Sequence, residues 1–283
     1  MTIEIHRYTL RPLSGLNARS AGGAREGALL RVGGGYADVH PWPELGDAPL
    51  DEQLALLARG KTTRLTASSL ALARVDGAAR REGRSLFDGL TIPLSHWSGL
   101  DAPAGFDTVK IKGGLDFDPQ SIPPGKRIRL DFNETLSMPK LLSMSLPVDR
   151  LEFVEDPFPY DRREWQLLRG QGFRLAIDRK VETEAVDVVI VKPALSVELP
   201  AVSLELVVTS YMDHPVGQFG VAWVAASNAD RISDRCGLFT HVLFEVNEFS
   251  EAIRSEGSRL LPPAGTGIGF DDLLARLKWE RLH

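Results

Sequence analysis

The sequence holds a single cysteine, Cys236. One thiol forms no internal disulfide and builds no cysteine-ligated zinc or iron–sulfur site. Long apolar runs are also missing, and none approaches the ~20 residues that span a bilayer. The first seven residues lack the basic-then-apolar order of a secretory leader. A cytoplasmic protein is therefore expected, and Asn133-Glu-Thr135 carries no weight as a glycan acceptor. Basic charge is not in excess: 33 Lys and Arg face 38 Asp and Glu, a formal charge of −5 with no Lys/Arg block. That balance argues against a nucleic acid or an anionic membrane as partner. What is present is ordinary for a globular chain. With 43% hydrophobic and 25% charged residues, wholesale disorder is excluded, and 283 residues suffice for one large domain or two modest ones.

The first third follows a different rhythm from the rest. Residues 3–10 and 28–32 have strand composition. The loop 12–27 between them, rich in Gly, Ala, Ser and Arg, is too long for a tight hairpin. Gly33-Gly-Gly turns the chain into another extended piece. Helices are expected at 50–59, with Asp51 helping to cap the first, and at 66–82, where Leu70, Leu72, Val75 and Ala78 are apolar. Strands followed by helices predict an α+β module over 1–88.

From residue 89 onward short apolar runs alternate with turn-like or helix-like segments. The runs are Thr108–Lys112, Arg127–Asp131, Leu151–Glu155, 174–178, 187–192, 205–210 and 237–244, with 92–96 as an eighth placed first. Repeated β–α units predict an α/β fold, a closed parallel barrel over 89–261; a doubly wound open sheet is the alternative. The span is lean for such a barrel, so some outer helices must be trimmed, and 193–200 is too short and Pro-bounded for a full one. A Gly/Pro-rich excursion then leads to a short helix at 271–278.

Charges fall where the apolar runs end. The runs finish in Lys110 and Lys112, Asp131, Glu155, Asp178 and Lys192. A charge at the end of a buried strand is costly unless it is paired or bound to a metal. One such end is unremarkable, but five in succession, of both signs, imply convergence. In a parallel barrel all strands end on one face, where active sites are built. Residues i and i+2 of a strand share a face, so Lys110 and Lys112 point together into the barrel. Asp131 and Asn133 share a face if the extended backbone reaches that far. Asp131, Glu155 and Asp178 come from consecutive strands about 4.8 Å apart, close enough to converge on one hard cation. Oxygen ligands suit magnesium, with manganese as the substitute. Lys112 and Lys192 would flank it. A lysine becomes a base near neutral pH when burial and a nearby cation lower its pKa to roughly 7–8. The chemistry favoured is removal of a proton alpha to a carboxylate, with metal and lysines stabilising the enediolate. The alternative is a non-catalytic barrel whose charges are rim salt bridges.

Taken in order, Lys110-Ile-Lys112, Asp131-Phe-Asn133, Glu155-Asp-Pro157, Asp178 and Lys192 resemble the enolase superfamily, muconate lactonising branch. The resemblance spans nearly the whole chain. Residues 1–88 look like the capping domain, with Tyr36-Ala-Asp-Val-His-Pro where a Gly-Glu-Ala-x-Pro-like stretch is common. Residues 89–261 look like the modified TIM-type (β/α) barrel, and 262–283 like the segment that packs back on the cap. Within the superfamily, the compactness, the Asp-x-Asn and the Thr209-Ser-Tyr-Met-Asp213…Gly217 stretch are most similar to the o-succinylbenzoate synthase family of menaquinone biosynthesis. The resemblance implies a magnesium-dependent carbon–oxygen lyase that dehydrates 2-succinyl-6-hydroxy-2,4-cyclohexadiene-1-carboxylate. Lys112 would take the alpha proton and then protonate the departing hydroxyl, while Lys192 stabilises the enolate from across the ring. Asp131, Glu155 and Asp178 would hold the metal. Lys110, Asn133 and Ser210 would contact substrate, though a strand-end hydroxyl bonded to backbone is an equal alternative for Ser210.

The same lysine pair would also serve an N-acylamino acid racemase or dipeptide epimerase of that superfamily, which needs a base on each face of the alpha carbon. The implied partner is a small-molecule carboxylate, and monomer and homodimer both stay open. One departure concerns Arg179-Lys180, which stands after Asp178 where an acid commonly follows. The loop 12–27 occupies the place of the family's substrate-covering loop, where Arg19 or Arg25 either meets the succinyl carboxylate or is simply solvated. Gly265-Thr-Gly-Ile-Gly269 lacks a preceding strand and reads as a turn rather than a cofactor loop. His214 reads as a helix start, and Cys236 and the tryptophans as packing groups.

Overall fold

Gly33 and Gly34 both hold left-handed φ values (59° and 81°), as a tight hairpin turn requires. There β2 (Arg25–Val32) folds back on β3 (Gly35–Val39). β1 (Ile3–Leu10) pairs antiparallel with β2 along its length, from Ile3 against Val32 to Leu10 against Arg25. β2 begins earlier than its apolar stretch, because Arg25 and Glu26 join through backbone pairing rather than burial. The computed structural model describes residues 2–16, 23–178 and 184–283. β15 (Glu280–Arg281) completes this sheet beside β1, in the order β15-β1-β2-β3.

α1 (Leu50–Ala58) and α2 (Arg64–Arg81) follow at nearly the expected places. Asp51 does not cap α1: the cap position is Pro49, and Asp51 lies inside the first turn, paired with the exposed Arg7. α2 has a reciprocal cap, in which the Thr63 side chain accepts from the Thr66 N–H and the Thr66 side chain accepts from the Thr63 N–H. It packs closely on β3, where any side chain at Gly35 would run into the α2 backbone at Ala73 and Gly77.

The remaining strands build a curled parallel sheet. In chain order they are β4 (Leu94–Ser95), β5 (Trp97–Ser98), β6 (Thr108–Lys112), β7 (Arg127–Asp131), β8 (Leu151–Glu155), β9 (Leu175–Asp178), β10 (Val188–Val191) and β11 (Glu205–Val208). β5 through β11 are hydrogen-bonded in sequence order. β12 (Arg235–Cys236) pairs parallel with β4. Backbone bonds then close the ring: Gly237 N–H donates to Val208 O (2.8 Å), and His96 N–H donates to Cys236 O (2.9 Å). β12 and β4 thus stand between β11 and β5, and the barrel expected from the run pattern is present.

The outer helices are trimmed, as the short span demanded. α3 (Met138–Leu142) and α4 (Arg162–Gly170) cover part of the sheet, and α5 (Pro215–Ser227), started by His214, packs on β3. Pro119–Ser121 is only a 3-10 turn, and 193–200 carries no helix. Strand alternation sorts the barrel core. Ile128, Leu130, Val154, Leu175 and Ile177 face outward against Trp165 and Leu168 of α4. Phe153, Ala176, Val188, Ile190 and Val207 form a separate apolar cluster inside the ring.

The run 237–244 is not a strand. Only Arg235–Cys236 and the bridge at Gly237 join the barrel, and His241–Leu243 is a 3-10 turn. Leu238 and Phe239 are buried in a core shared with Phe87, Phe106 and Phe219, and Phe244 is buried where the segment runs under the N-terminal loop, with Glu245 N–H donating to Arg11 O (2.7 Å). α6 (Glu248–Glu251) leads to a hairpin of β13 (Arg254–Glu256) and β14 (Arg259–Leu261), too short and polar to stand out in the sequence. Last comes α7 (Asp271–Arg276). The glycine-rich stretch before it is a turn held by Asp76, which accepts from Ile268 N–H (2.5 Å), not a cofactor loop. Among the described residues no helix is long and apolar enough to cross a membrane.

Candidate active site

The strand ends of the barrel open into a cavity of about 620 Å³. Lys110, Lys112, Asp131, Asn133, Glu155, Asp178, Lys192 and Ser210 all line it. The residues expected at the strand ends are therefore brought to one place. Ser14, Gly15 and Leu16 close it from the N-terminal loop, whose stem is tied down by Leu13 N–H donating to Leu243 O (2.9 Å).

Strand parity accounts for the lysines. Val109 and Ile111 turn outward into the core, and Lys110 and Lys112 turn inward. Lys110 is locked in place: its Nζ donates to both Glu155 oxygens (2.7 Å each) and lies 2.9 Å from Asp131 Oδ2. Burial alone would lower its pKa, but Asp131 and Glu155 outweigh burial and hold it above the ordinary lysine value. Lys110 is a fixed cation. Lys112 differs: its side chain is exposed at the cavity edge, yet the protein packed around the amine pushes it down to about 8, with Asp131 opposing and Lys110 reinforcing that shift. Its Nζ donates to the Leu16 carbonyl. Lys192 donates to Asp178 Oδ2.

The acids balance this charge unevenly. Burial favours the neutral form of Asp131, yet Lys110 and Lys112 hold its pKa below the usual range. Burial and then Asp131 push Glu155 up to about 7. Strand alternation turns Asp156 away from the cavity, and the spacing of strand ends gives it no role. The backbone overrides that: Asp156 has a left-handed φ of 40°, which brings it to the cavity wall beside Glu155. Burial, with Glu155 and Asp178 nearby, pushes it up to about 8. The signal available in the sequence was the acid directly before Pro157, a residue pair that ends a strand in a turn. Asn133 is likewise left-handed (φ 48°), so the extended backbone stops at Phe132, and Asn133 reaches the cavity through a turn rather than by strand alternation.

Oxygens of Glu155, Asp156 and Asp178 all lie within 4.8 Å of one another, the arrangement that can hold a metal ion among the described residues. Asp131 stands one strand over, bound to Lys110. Among the described residues, buried Asp178 Oδ1 has no hydrogen-bond partner. An all-oxygen donor set with an orphaned carboxylate oxygen fits a hard divalent cation.

Other candidates divide. Ser210 donates to Asp213 Oδ1 (2.9 Å), lies 2.6 Å from Thr240 Oγ1 and accepts from Met212 N–H (3.2 Å), so side chains and backbone together fix its hydroxyl on the cavity wall. Arg25 is turned from the cavity, packed over Trp42 (4.6 Å) and paired with Glu44. It belongs to β2 rather than to a free loop. Arg19 and Arg179-Lys180 lie outside the described residues.

Comparison with known proteins agrees with this geometry. Residues 3–79 match the family described as O-succinylbenzoate synthase, N-terminal domain. A Bdellovibrio bacteriovorus protein named o-succinylbenzoate synthase is 38% identical over 325 aligned positions, covering 99% of this chain and 98% of that protein. In fold, the chain resembles the L-Ala-D/L-Glu epimerase of Bacillus subtilis (TM-score 0.75, 16% identity, 94% of this chain and 97% of that one). It also resembles a mandelate racemase/muconate lactonizing protein of Herpetosiphon aurantiacus (TM-score 0.74, 14% identity, 94% and 96%). A dipeptide epimerase of Cytophaga hutchinsonii, solved with Mg, matches at TM-score 0.71 and 15% identity over 100% and 99% of the two chains. At such identities these structures speak for the fold alone. The near full-length relative shows more: the chain belongs to the o-succinylbenzoate synthase family.

Proposed function

We propose that the chain dehydrates 2-succinyl-6-hydroxy-2,4-cyclohexadiene-1-carboxylate to o-succinylbenzoate, a step of menaquinone biosynthesis, with magnesium as the resident cation. The observation that carries this is the division of labour among the three lysines. Lys110 is fixed between Asp131 and Glu155, Lys192 is held by Asp178, and Lys112 alone of the three touches none of these acids through a hydrogen bond. Lys112 is then the base. Its neutral amine removes the proton alpha to the ring carboxylate, and the ammonium returns that proton to the departing hydroxyl. The carbon–oxygen bond breaks, water leaves, and the ring becomes aromatic. Lys110 and Lys192, remaining cations, stabilise the negative charge that builds on the carboxylate. Glu155 and Asp178, with Asp131 or Asp156, would hold the cation, which when bound supplies further positive charge where the dianion develops. Lys110, Asn133 and Ser210 contact the substrate from the cavity wall.

The racemase or epimerase alternative needs a free base on each face. Lys192, bound to Asp178, is less suited to that than Lys112. The division of the chain into a cap over 1–88, completed by 262–283, and a catalytic barrel over 89–261 belongs to the same proposal; it is supported by the return of β15 to β1. The test is product formation from the cyclohexadiene substrate by purified protein with magnesium. Absence of product, or full activity after Lys112→Ala, rejects the assignment. Solvent deuterium entering both enantiomers of an N-acylamino acid or dipeptide would favour the alternative.

A further inference from the structure

Across the ring from the acidic strand ends, the cavity floor holds two polar side chains that this chemistry leaves unused, His96 and Thr209. His96 sits at the break between β4 and β5, and Thr209 directly follows β11. Both line the cavity, on the arc β11, β12, β4 that faces β7, β8 and β9. Gly237 lies between them. A Cβ there would fall 2.8 Å from Thr209 Cγ2 and 2.9 Å from the His96 ring, so glycine is what leaves room for the imidazole.

The tautomer of His96 follows from its neighbour. Arg129 Nη1 lies 3.0 Å from His96 Nδ1. A guanidinium only donates, so Nδ1 accepts and the proton of the neutral ring sits on Nε2. Burial, with the charges of Arg129 and Lys110 beside it, holds the ring's pKa well below its ordinary value. Arg129 is itself immobilised, donating to Glu152 Oε2 (2.7 Å) and to the Arg235 carbonyl (3.1 Å). Among the described residues no group accepts from His96 Nε2. Among the same residues, buried Thr209 Oγ1 has no hydrogen-bond partner. His96 is 4% exposed and Thr209 8%. Buried polar groups are nearly always satisfied, so a buried orphan hydroxyl beside a cavity-lining imidazole with no acceptor among the described residues marks a place for a ligand oxygen.

We infer that His96 Nε2–H and Thr209 Oγ1–H form an oxygen-binding subsite that positions the end of the substrate remote from the abstracted proton. Resting on the dehydratase reading, the occupant is the carboxylate of the succinyl arm. With the ring carboxylate at the lysines and acids, the arm reaches the opposite arc, where neutral donors can take it. Arg129 is a positioning residue, since it sets the proton of His96 and meets no substrate itself.

The test is titration calorimetry on the magnesium-loaded protein with two probes, o-succinylbenzoate and benzoate, which keeps the ring carboxylate and lacks the arm. His96→Phe weakens o-succinylbenzoate by about 10- to 100-fold, the scale of a hydrogen bond to a charged group, and leaves benzoate unchanged. In turnover the same variant raises KM far more than it lowers kcat. His96→Gln, whose amide both accepts and donates, recovers most of the loss. Equal weakening of both probes, or no weakening, overturns the subsite. Should His96→Phe fail to fold, the Gln variant and the imidazole 15N spectrum of the wild type decide: a bare Nδ1 and a protonated Nε2 at pH 7 are required, and the reverse tautomer or a doubly protonated ring overturns it. A wild type that neither turns over the cyclohexadiene nor binds o-succinylbenzoate instead overturns the dehydratase reading, and the occupant with it.

Discussion

Two groups of buried carboxyls lie in this molecule, and only one of them is given ammonium partners. Around the cavity, Asp131, Glu155, Asp156 and Asp178 face Lys110, Lys112 and Lys192. Where β3 meets the start of α5, Asp38 accepts from the Tyr8 hydroxyl (2.7 Å) and from His214 N–H (3.0 Å), and Asp213 accepts from Ser210. Among the described residues neither Asp38 nor Asp213 has an ion-pair partner. The junction is satisfied by protonation: burial pushes Asp213 up to about 7, and burial together with the Asp213 charge holds Asp38 well above the carboxylate range. The cavity relies on ammonium groups as well, although burial also pushes Glu155 up to about 7 and Asp156 up to about 8, and among the described residues it still leaves Asp178 Oδ1 unpaired. Acids complete in themselves hold the fold together, whereas acids short of positive charge are completed by what binds.

The largest effect expected from breaking this contrast is on turnover. Lys112→Ala lowers kcat by about a thousandfold, within the range of a lost general base. The residue is at the cavity edge, so its melting temperature moves little; a turnover assay beside a thermal melt checks both. Next is the response to metal. Magnesium at about a hundred times its Kd adds about 2.7 kcal/mol, or roughly 5–10 °C in Tm. Asp178→Asn abolishes that rise, and a rise that survives unchanged in calorimetric melts would separate Asp178 from the cation site.

A smaller change follows at the junction. A methyl at Gly217 would sit 2.6 Å from Asp213 Oδ2 and 2.7 Å from Asp38 Oδ2. Gly217→Ala therefore destabilises by about 1–3 kcal/mol through overpacking, measured by urea denaturation. Smallest is a pH effect. The folded Asp213 carboxyl titrates near 7, above the ordinary carboxylate value of 3.8. Between those values the folded state holds a proton that the unfolded state has lost, so this group's stabilisation is full below the window and disappears as pH rises through it. Asp213→Asn flattens that part of the stability profile. His40 and His214, kept neutral by burial down to about 3, act oppositely, removing stability as pH falls below about 6.5. An unchanged profile in the Asn variant means Asp213 is ionised at neutral pH.

Much of the barrel was legible because its strands obey a simple alternation. Thr108–Lys112, Arg127–Asp131 and Leu151–Glu155 are bounded in the structure as their apolar runs are in the sequence. Each ends where a charged side chain must reach the cavity, so hydrophobicity and charge agree. The run 237–244 misled because burial in the core, for Leu238 and Phe239, and under the N-terminal loop, for Phe244, demands the same apolar residues as a strand. Asp51 misled because a polar residue near a helix start is not a cap unless the backbone enters the helix there. β4 and β5 are two residues each, and their break at His96 leaves no periodic trace.

The order of residue types along the chain, two lysines, three acids on successive strands and a last lysine, determined by itself that opposite charges would gather at one end of a parallel barrel. Strand period and strand order are local, one-dimensional properties, and a sequence carries them directly. Which charges pair, which lysine stays out of those pairs, and which proton His96 carries were decided only by tertiary structure. Those outcomes depend on left-handed turns such as that at Asp156, on loops such as that at Leu16, and on distances across the ring between groups far apart in sequence. Electrostatic energy at those distances is set by a few ångströms and by burial, and neither quantity is written along the chain.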